Sequence, residues 1–174
     1  MQDVTLGQFP RKHSSIAGRR RRNSIAGAFA SHRTEMLNSP AWRVLSLSGR
    51  RVLDRVAIEL AHHGGHIGNG LPVTYTDFQK YGIERHAIAP AIREVVALGF
   101  LRIMQLGRAG NAEFRRAALY RPTYLQSVDS EPTDEWRRIT SLTDAKAKAE
   151  EARAAQQPRR NRTPVRETPP AAVR

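Results

Sequence analysis

The apolar positions in the middle of the chain recur with the spacing of helices and short strands. Leu53, Val56 and Leu60 follow the i, i+3, i+7 spacing of an amphipathic helix over residues 48–62, with Ser48 as its expected cap. The glycine-rich stretch that follows ends this helix. Ser39 followed by Pro40 predicts a shorter helix before it, because serine caps helices and proline suits their first position.

Strand and helix patterns then alternate up to residue 125. Residues 71–75 (LPVTY) combine a proline with β-branched and aromatic side chains, which predicts a short strand. Thr76 is expected to cap a short helix over residues 77–82. Residues 100–106 and 118–125 alternate well enough to form the two strands of a hairpin. The order is therefore helix, strand, helix, turn, helix and hairpin, an α+β arrangement.

The helix before this hairpin carries a proline and small residues on its polar side. Ile88, Ile92 and Val95 form its apolar stripe. Pro90 has no backbone N–H and clashes with the carbonyl four residues earlier, so we expect either a kink or a helix that begins near Ile88. Small side chains let a backbone approach another large molecule closely, although alanine is also simply the best helix former. The side opposite the stripe holds His86, Ala89, Pro90, Arg93 and Ala97.

The ends of the chain differ from its middle. Residues 1–38 lack sustained periodicity and are interpreted as a flexible basic arm that becomes helical near its end. In residues 128–157, Trp136 and Ile139 are expected to clip this segment onto the body. An alanine-rich helix capped by Ser141 follows; it has almost no apolar stripe and is expected to be exposed. The remaining residues, 158–174, are rich in proline and arginine and are expected to be disordered.

Charge is concentrated in these ends. The 174 residues include 29 Lys+Arg and 16 Asp+Glu, a formal charge of +13. Residues 1–33 hold seven basic and one acidic side chain, and residues 156–174 hold five and one. Such tails favour a polyanionic partner, nucleic acid or an anionic membrane, although charged tails are also often merely solvated.

Several classes of function find no support in the sequence. The absence of cysteine excludes disulfides and zinc–thiolate sites and fits a cytoplasmic protein. No apolar run approaches the roughly 18 residues needed to span a membrane. His62, His63 and His66 lie among glycines in a loop, and we expect no metal there. No nucleophile elbow or phosphate loop is present, so we expect no enzyme activity and no cofactor.

The segment YTDFQKYGIERHAIAPAIREVVALGFLRI resembles the helix-turn-helix core of bacterial winged-helix regulators and plasmid replication initiators. Phe78 and Tyr81 match core positions of the first helix, and Gly82 matches the turn. The letters LGFLRI match the exit of the recognition helix into the wing. The resemblance covers about residues 48–125. It implies a mostly helical winged helix-turn-helix domain over residues 39–127, with a wing of two to three strands.

The resemblance also implies a duplex-DNA interface. The small-residue side of the recognition helix would enter the major groove, where Arg93 would reach guanine or a phosphate. The basic hairpin tip and the arm would lie on flanking grooves or phosphates. The residues expected to contact DNA are Arg85, His86, Ala89 and Arg93 on the helix, Arg108, Asn111, Arg115 and Arg116 on the wing, and Arg19, Arg20, Arg21 and Arg22 in the arm.

Two other functions remain open from the sequence. Arginine-rich tails also fold onto structured RNA. Winged helices also serve as protein–protein modules, for which Ile58, off the apolar stripe of its helix, and the small-residue face are candidates. The leading expectation is a nucleoid-associated regulator or replication factor. Such a protein is plausibly a homodimer, because one helix pair reads a short half-site.

Overall fold

The computed structural model describes residues 29–108 and 116–155. Within these ranges the chain forms six α-helices, three antiparallel strands and one 3-10 turn. In chain order the elements are α1 (Thr34–Asn38), α2 (Pro40–Arg43), α3 (Leu47–His62), β1 (Leu71–Val73), α4 (Tyr75–Lys80), α5 (Arg85–Ala97), β2 (Leu101–Gln105), β3 (Ala118–Pro122), the 3-10 turn (Glu135–Arg138) and α6 (Leu142–Ala154). The expected flexible arm before residue 29 and the disordered tail lie outside the described residues.

Two helices begin two residues earlier than the sequence predicts. Ser46, not Ser48, caps α3, because its Oγ accepts the backbone N–H of Gly49 at 3.0 Å. Thr74, not Thr76, caps α4 through a capping box in which Thr74 and Asp77 each bind the other's backbone N–H. The Thr74 hydroxyl also donates to the Asp77 carboxylate, and this lowers the pKa of Asp77.

The strands form a sheet in the order β1-β3-β2, with β3 in the middle. Leu71 pairs with Tyr120 and Leu101 pairs with Pro122, and both partnerships are antiparallel. The hairpin strands are shorter than predicted: a register irregularity falls at the end of β2, and Pro122 closes β3 because it has no N–H to donate.

A single core joins this sheet to α3, α4 and α5. The stripe residues predicted for α3 and α5 are buried, as is Phe78 of α4. Trp136 and Ile139 are also buried, which confirms the predicted clip. The largest fully buried side chains are Phe78, Phe100, Met36, Leu53, Leu71, Ile88, Leu98, Leu101 and Glu94.

Packing begins before Ser39, where the sequence placed the start of structure. Met36 of α1 is buried, and the His32 ring lies 5.2 Å from the Trp42 ring and 5.6 Å from the Tyr124 ring. Ser39 does cap α2, as expected, and accepts the backbone N–H of Trp42 at 3.2 Å.

The predicted exposure of α6 is wrong. Ser141 caps this helix as expected, but Ala145 and Ala149 are completely buried, and α6 packs along α5 more extensively than any other helix does. Small side chains dock without a large apolar stripe because they allow the two helix axes to approach closely. The whole arrangement is α+β and compatible with a winged helix.

Candidate nucleic-acid interface

A short turn sets the angle between α4 and α5. Gly82 has a φ of +87°, a left-handed conformation that a side chain would strain. The Arg51 guanidinium of α3 donates to the Gly82 carbonyl at 2.6 Å, and Ile83 is buried beside it. The turn and the two helices that it joins, α4 and α5, are therefore held against α3. The start of α5 points away from the core.

The first turn of α5 is exposed and carries one arginine. Arg85 and His86 are both exposed, and the Arg85 guanidinium donates to the Gln79 side chain at 3.2 Å. Glu84, at the cap position, makes no side-chain bond to the first N–H groups of the helix. The beginning of α5 therefore places the Arg85 cation at the positive end of the helix dipole, a combination that attracts anions.

Pro90 lies inside α5 and does not mark its start. The helix begins at Arg85, so of the two alternatives that the sequence offered, the beginning near Ile88 is wrong. Since proline cannot donate, the carbonyl of His86 loses its usual partner four residues on. Ala89 and Pro90 are half-buried, less open than the small-residue side was expected to be.

Arg93 is bound within the protein. Its Nε donates to the carbonyl of Ala152 at 2.8 Å, and its Nη2 donates to the carbonyl of Arg153 at 3.0 Å. These carbonyls belong to the last turn of α6, where helical partners run out and the dipole is negative. The guanidinium expected to face a DNA groove thus caps the C-terminal end of α6.

Glu94, the next residue of α5, forms a second contact with the end of α6. Its carboxylate is fully buried and accepts the Ser46 backbone N–H at 2.9 Å, the Ser46 hydroxyl, and the Arg153 guanidinium at 2.7 Å. A Cβ added to Gly49 would lie 3.1 Å from this carboxylate, so α3 approaches it closely. We call Arg93, Glu94 and Arg153 the α5–α6 clamp. Glu94 lies about 120° around the helix from Ile88, outside the predicted apolar stripe, so the spacing of apolar residues carried no signal for this clamp.

The β2–β3 hairpin carries two arginines directly opposite each other, beyond the ends of its strands. Arg108 and Arg116 exchange both backbone hydrogen bonds, at 2.9 and 3.0 Å, and both side chains are exposed. Directly opposed like charges on neighbouring strands repel, so this pair is suited to an anion between or above the two groups. Nearer the core, Arg102 of β2 pairs with Glu135 of the 3-10 turn.

Six of the expected contact residues lie outside the described residues: Asn111, Arg115, Arg19, Arg20, Arg21 and Arg22. Of the other six, the structure leaves Arg85, His86, Arg108 and Arg116 exposed, places Ala89 half-buried, and binds Arg93 to α6. The start of α5 and the arginine pair of the β2–β3 hairpin therefore carry the described part of the candidate interface.

Two histidines near the end of α3 lie close to a carboxylate of the same helix. His62 and His63 lie 4.0 and 3.5 Å from the Glu59 carboxylate. Across residues 29–108 and 116–155, no group of three or more ligating side chains is arranged to hold a metal ion. In the same ranges, no helix has the length and hydropathy that crossing a membrane requires.

Comparison with known proteins returned no family model, no curated protein and no solved structure that matches this chain. The candidate interface therefore rests on the contacts and the exposed side chains described above for α5 and the β2–β3 hairpin.

Proposed function

We propose that this protein binds duplex DNA as a winged-helix protein and acts as a transcriptional regulator or a replication accessory factor. One observation carries the proposal: the α4–turn–α5 unit leaves Arg85 and His86 exposed at the start of α5, and a two-stranded hairpin with an opposed arginine pair follows α5 directly. In helix-turn-helix proteins, the N-terminal residues of the second helix contact base edges in the major groove.

The position of α6 determines which part of α5 enters DNA. The major groove is about 12 Å wide and a helix with its side chains is about 10 to 12 Å across, so the groove admits one helix. The last turn of α6 lies against α5 at Arg93. Insertion therefore proceeds with the first two turns of α5, where Arg85 and His86 reach base edges, and α6 stays outside the groove.

The opposed arginines of the wing contact the phosphate backbone. Their mutual repulsion in the free protein is relieved when a phosphate lies between them, which adds to the attraction of each for the anion. Such a contact carries no base information but increases the dependence of affinity on salt.

Salt titration of duplex binding with single substitutions tests the proposal. Arg85→Ala should change sequence preference, at a cost of about 1 to 3 kcal/mol at the preferred base pair. Arg108→Ala should weaken binding equally across sequences and make the salt slope shallower by about 1. Arg43→Ala is the matched control, because Arg43 is exposed at the end of α2, where it lines a groove with α6, and belongs to neither α5 nor the wing.

Preferred sites should first be selected from a random duplex pool, because a reader of bases enriches one motif. The proposal fails if no duplex binds at about 50 mM salt, where phosphate contacts are strong. It also fails if Arg85→Ala and Arg108→Ala affect binding no more than Arg43→Ala. A stronger preference for structured RNA in competition would move the function to an RNA-binding protein.

Exposed apolar side chains on β2 and directly after it favour a second role, self-association. Ile103, Met104 and Leu106 are all exposed, and β2 is an edge strand of the described sheet. Edge strands with apolar side chains pair readily with another chain. Sedimentation of the protein and of Met104→Lys tests this role: the substitution should dissociate a dimer, and a wild-type monomer at all concentrations would rule it out.

A further inference from the structure

A groove with a volume of about 370 Å³ lies between the end of α2 and one face of α6. The residues that α6 contributes recur at helical spacing, so they form a continuous strip along that face. Val44, Leu142 and Ala149 supply the apolar part of the lining. Sites for small molecules measure about 300 to 1,000 Å³ and combine apolar walls with a few polar groups. The groove therefore has the size and the lining of a small-molecule site.

The polar part of the lining is mainly cationic. Arg43 and Lys146 are exposed and Arg153 is half-buried, and all three line the groove. Among the described residues, no carboxylate forms an ion pair with Arg43 or Lys146. Arg153 is matched by Glu94, and Glu150, which also lines the groove, offsets one further charge. The groove therefore keeps a net positive charge beside its apolar side chains, which favours an anion with an apolar part.

Arg153 belongs both to this groove and to the α5–α6 clamp. Its Nη1 donates to the fully buried carboxylate of Glu94 at 2.7 Å, and a guanidinium has further N–H groups to donate. A buried carboxylate that loses its cation is left uncompensated at a large cost in free energy. An anion in the groove therefore binds the remaining donors of Arg153 and does not take this residue from Glu94.

We propose that the groove between α2 and α6 binds a small organic anion, a carboxylate on a short apolar body. The three cations bind the carboxylate, and the apolar lining contacts the body. The bound anion joins α2 to α6 and, through the clamp, strengthens the docking of α6 on α5. This site does not depend on the proposed DNA binding, so the failure of either one leaves the other standing.

Chemical-shift titration of the ¹⁵N-labelled full chain with hexanoate tests the site. Hexanoate should shift the amide signals of residues 43–44 and 142–153, with a dissociation constant of about 1 mM. Arg43→Ala and Lys146→Ala should each weaken binding about tenfold, because each removes a charge-assisted hydrogen bond. Lys148→Ala is the matched control, since Lys148 is exposed on the same helix, pairs with Asp144 at 2.9 Å and does not line the groove. It should change the affinity by less than about twofold.

Two further probes separate the contributions of charge and apolar surface. Both 1-hexanol and inorganic phosphate should bind about tenfold more weakly than hexanoate, because each lacks one of the two parts. Equal binding of 1-hexanol overturns the role of the cations, and equal binding of phosphate overturns the role of the apolar lining. The site itself is overturned if hexanoate produces no saturable shifts at these residues up to about 20 mM, or if Lys148→Ala weakens binding as much as Lys146→Ala does.

Hydrogen exchange tests the link from the groove to α5. Saturating hexanoate should slow the exchange of residues 142–154, because a ligand that binds the folded state alone stabilises that state. Lys146→Ala should lose this protection at the same hexanoate concentration. Unchanged exchange in the wild-type protein overturns the strengthening of the α6 contact. Faster exchange overturns it as well, since it would mean that the anion draws Arg153 away from Glu94.

Discussion

Helices α5 and α6 are both thirteen residues long and rich in alanine, yet they bury different kinds of surface. Helix α5 buries Ile88, Ile92 and Val95 against the core. Helix α6 buries only alanines, Ala145 and Ala149, and its contact with α5 is completed by hydrogen bonds and an ion pair at its end.

The two helices dock in different ways. One uses a stripe of large apolar side chains, and the other uses small side chains together with polar contacts. Large side chains supply transfer free energy in proportion to the area that they bury. Alanines four residues apart lie on one face and supply little area, but they let the axes come close, so that backbone and polar groups meet. Helix α6 should therefore be sensitive to added volume and to lost polar contacts, whereas α5 should be sensitive to lost volume.

The largest expected effect tests the stripe of α5. Ile88→Ala removes a fully buried side chain and should lower the free energy of unfolding by about 2 to 5 kcal/mol, because it combines lost burial with a cavity. Urea denaturation measures the change. Ile58→Ala is the matched control, since Ile58 is 37% exposed, and it should cost less. Equal losses at the two positions would mean that the stripe does not carry the stability of α5.

Added volume tests the opposite property of α6. Ala145→Leu forces a larger side chain into the contact with α5 and should cost about 1 to 3 kcal/mol by overpacking. Ala147→Leu makes the same change at an exposed position of the same helix and should be nearly neutral. If both variants unfold at the same urea concentration, the close approach of α6 to α5 is not required for stability.

The same difference explains what the sequence could and could not predict. Large residues at helical spacing predicted α3, α5 and the burial of Phe78, because their pattern is local. The docking of α6 was missed because alanine gives the same pattern in an exposed helix and in a close contact. Glu94 was missed because its partners, Ser46 and Arg153, lie 48 and 59 positions away. No local spacing reports such distances.

In the candidate interface, too, the sequence predicted the exposure of some residues and missed the contacts of another. Arg85 lies seven positions before Ile92, on the stripe side of α5, and is exposed at the point where the helix begins. The exposure of His86 follows from the wheel of α5, since His86 lies away from the stripe. Arg93 has an equally outward position on that wheel, but its long side chain reaches the end of another helix. Periodicity predicts where a side chain starts and does not predict where a flexible cationic end binds.

Loss of the polar contacts of α6 should cost less than the volume changes. Arg93→Ala removes two hydrogen bonds to terminal carbonyls and a cation at the negative end of the α6 dipole, so it should destabilise the protein by about 1 to 2 kcal/mol. Thermal unfolding measures this. Because the guanidinium is held by α6, any loss of DNA affinity should be equal across sequences. An altered base preference without destabilisation would instead identify Arg93 as a base reader.

The smallest expected effects are at the helix starts, where the two helices again differ. The Ser141 side chain accepts the Asp144 N–H of α6 at 3.1 Å, so Ser141→Ala should cost about 1 kcal/mol. Glu84 makes no such bond at the start of α5, so Glu84→Ser should supply a missing cap and gain a few tenths of a kcal/mol. A lower unfolding temperature for Ser141→Ala and a higher one for Glu84→Ser would support this difference. Helix α5 then tolerates an uncapped start because its apolar stripe holds it, whereas α6 has no such stripe and depends on its cap.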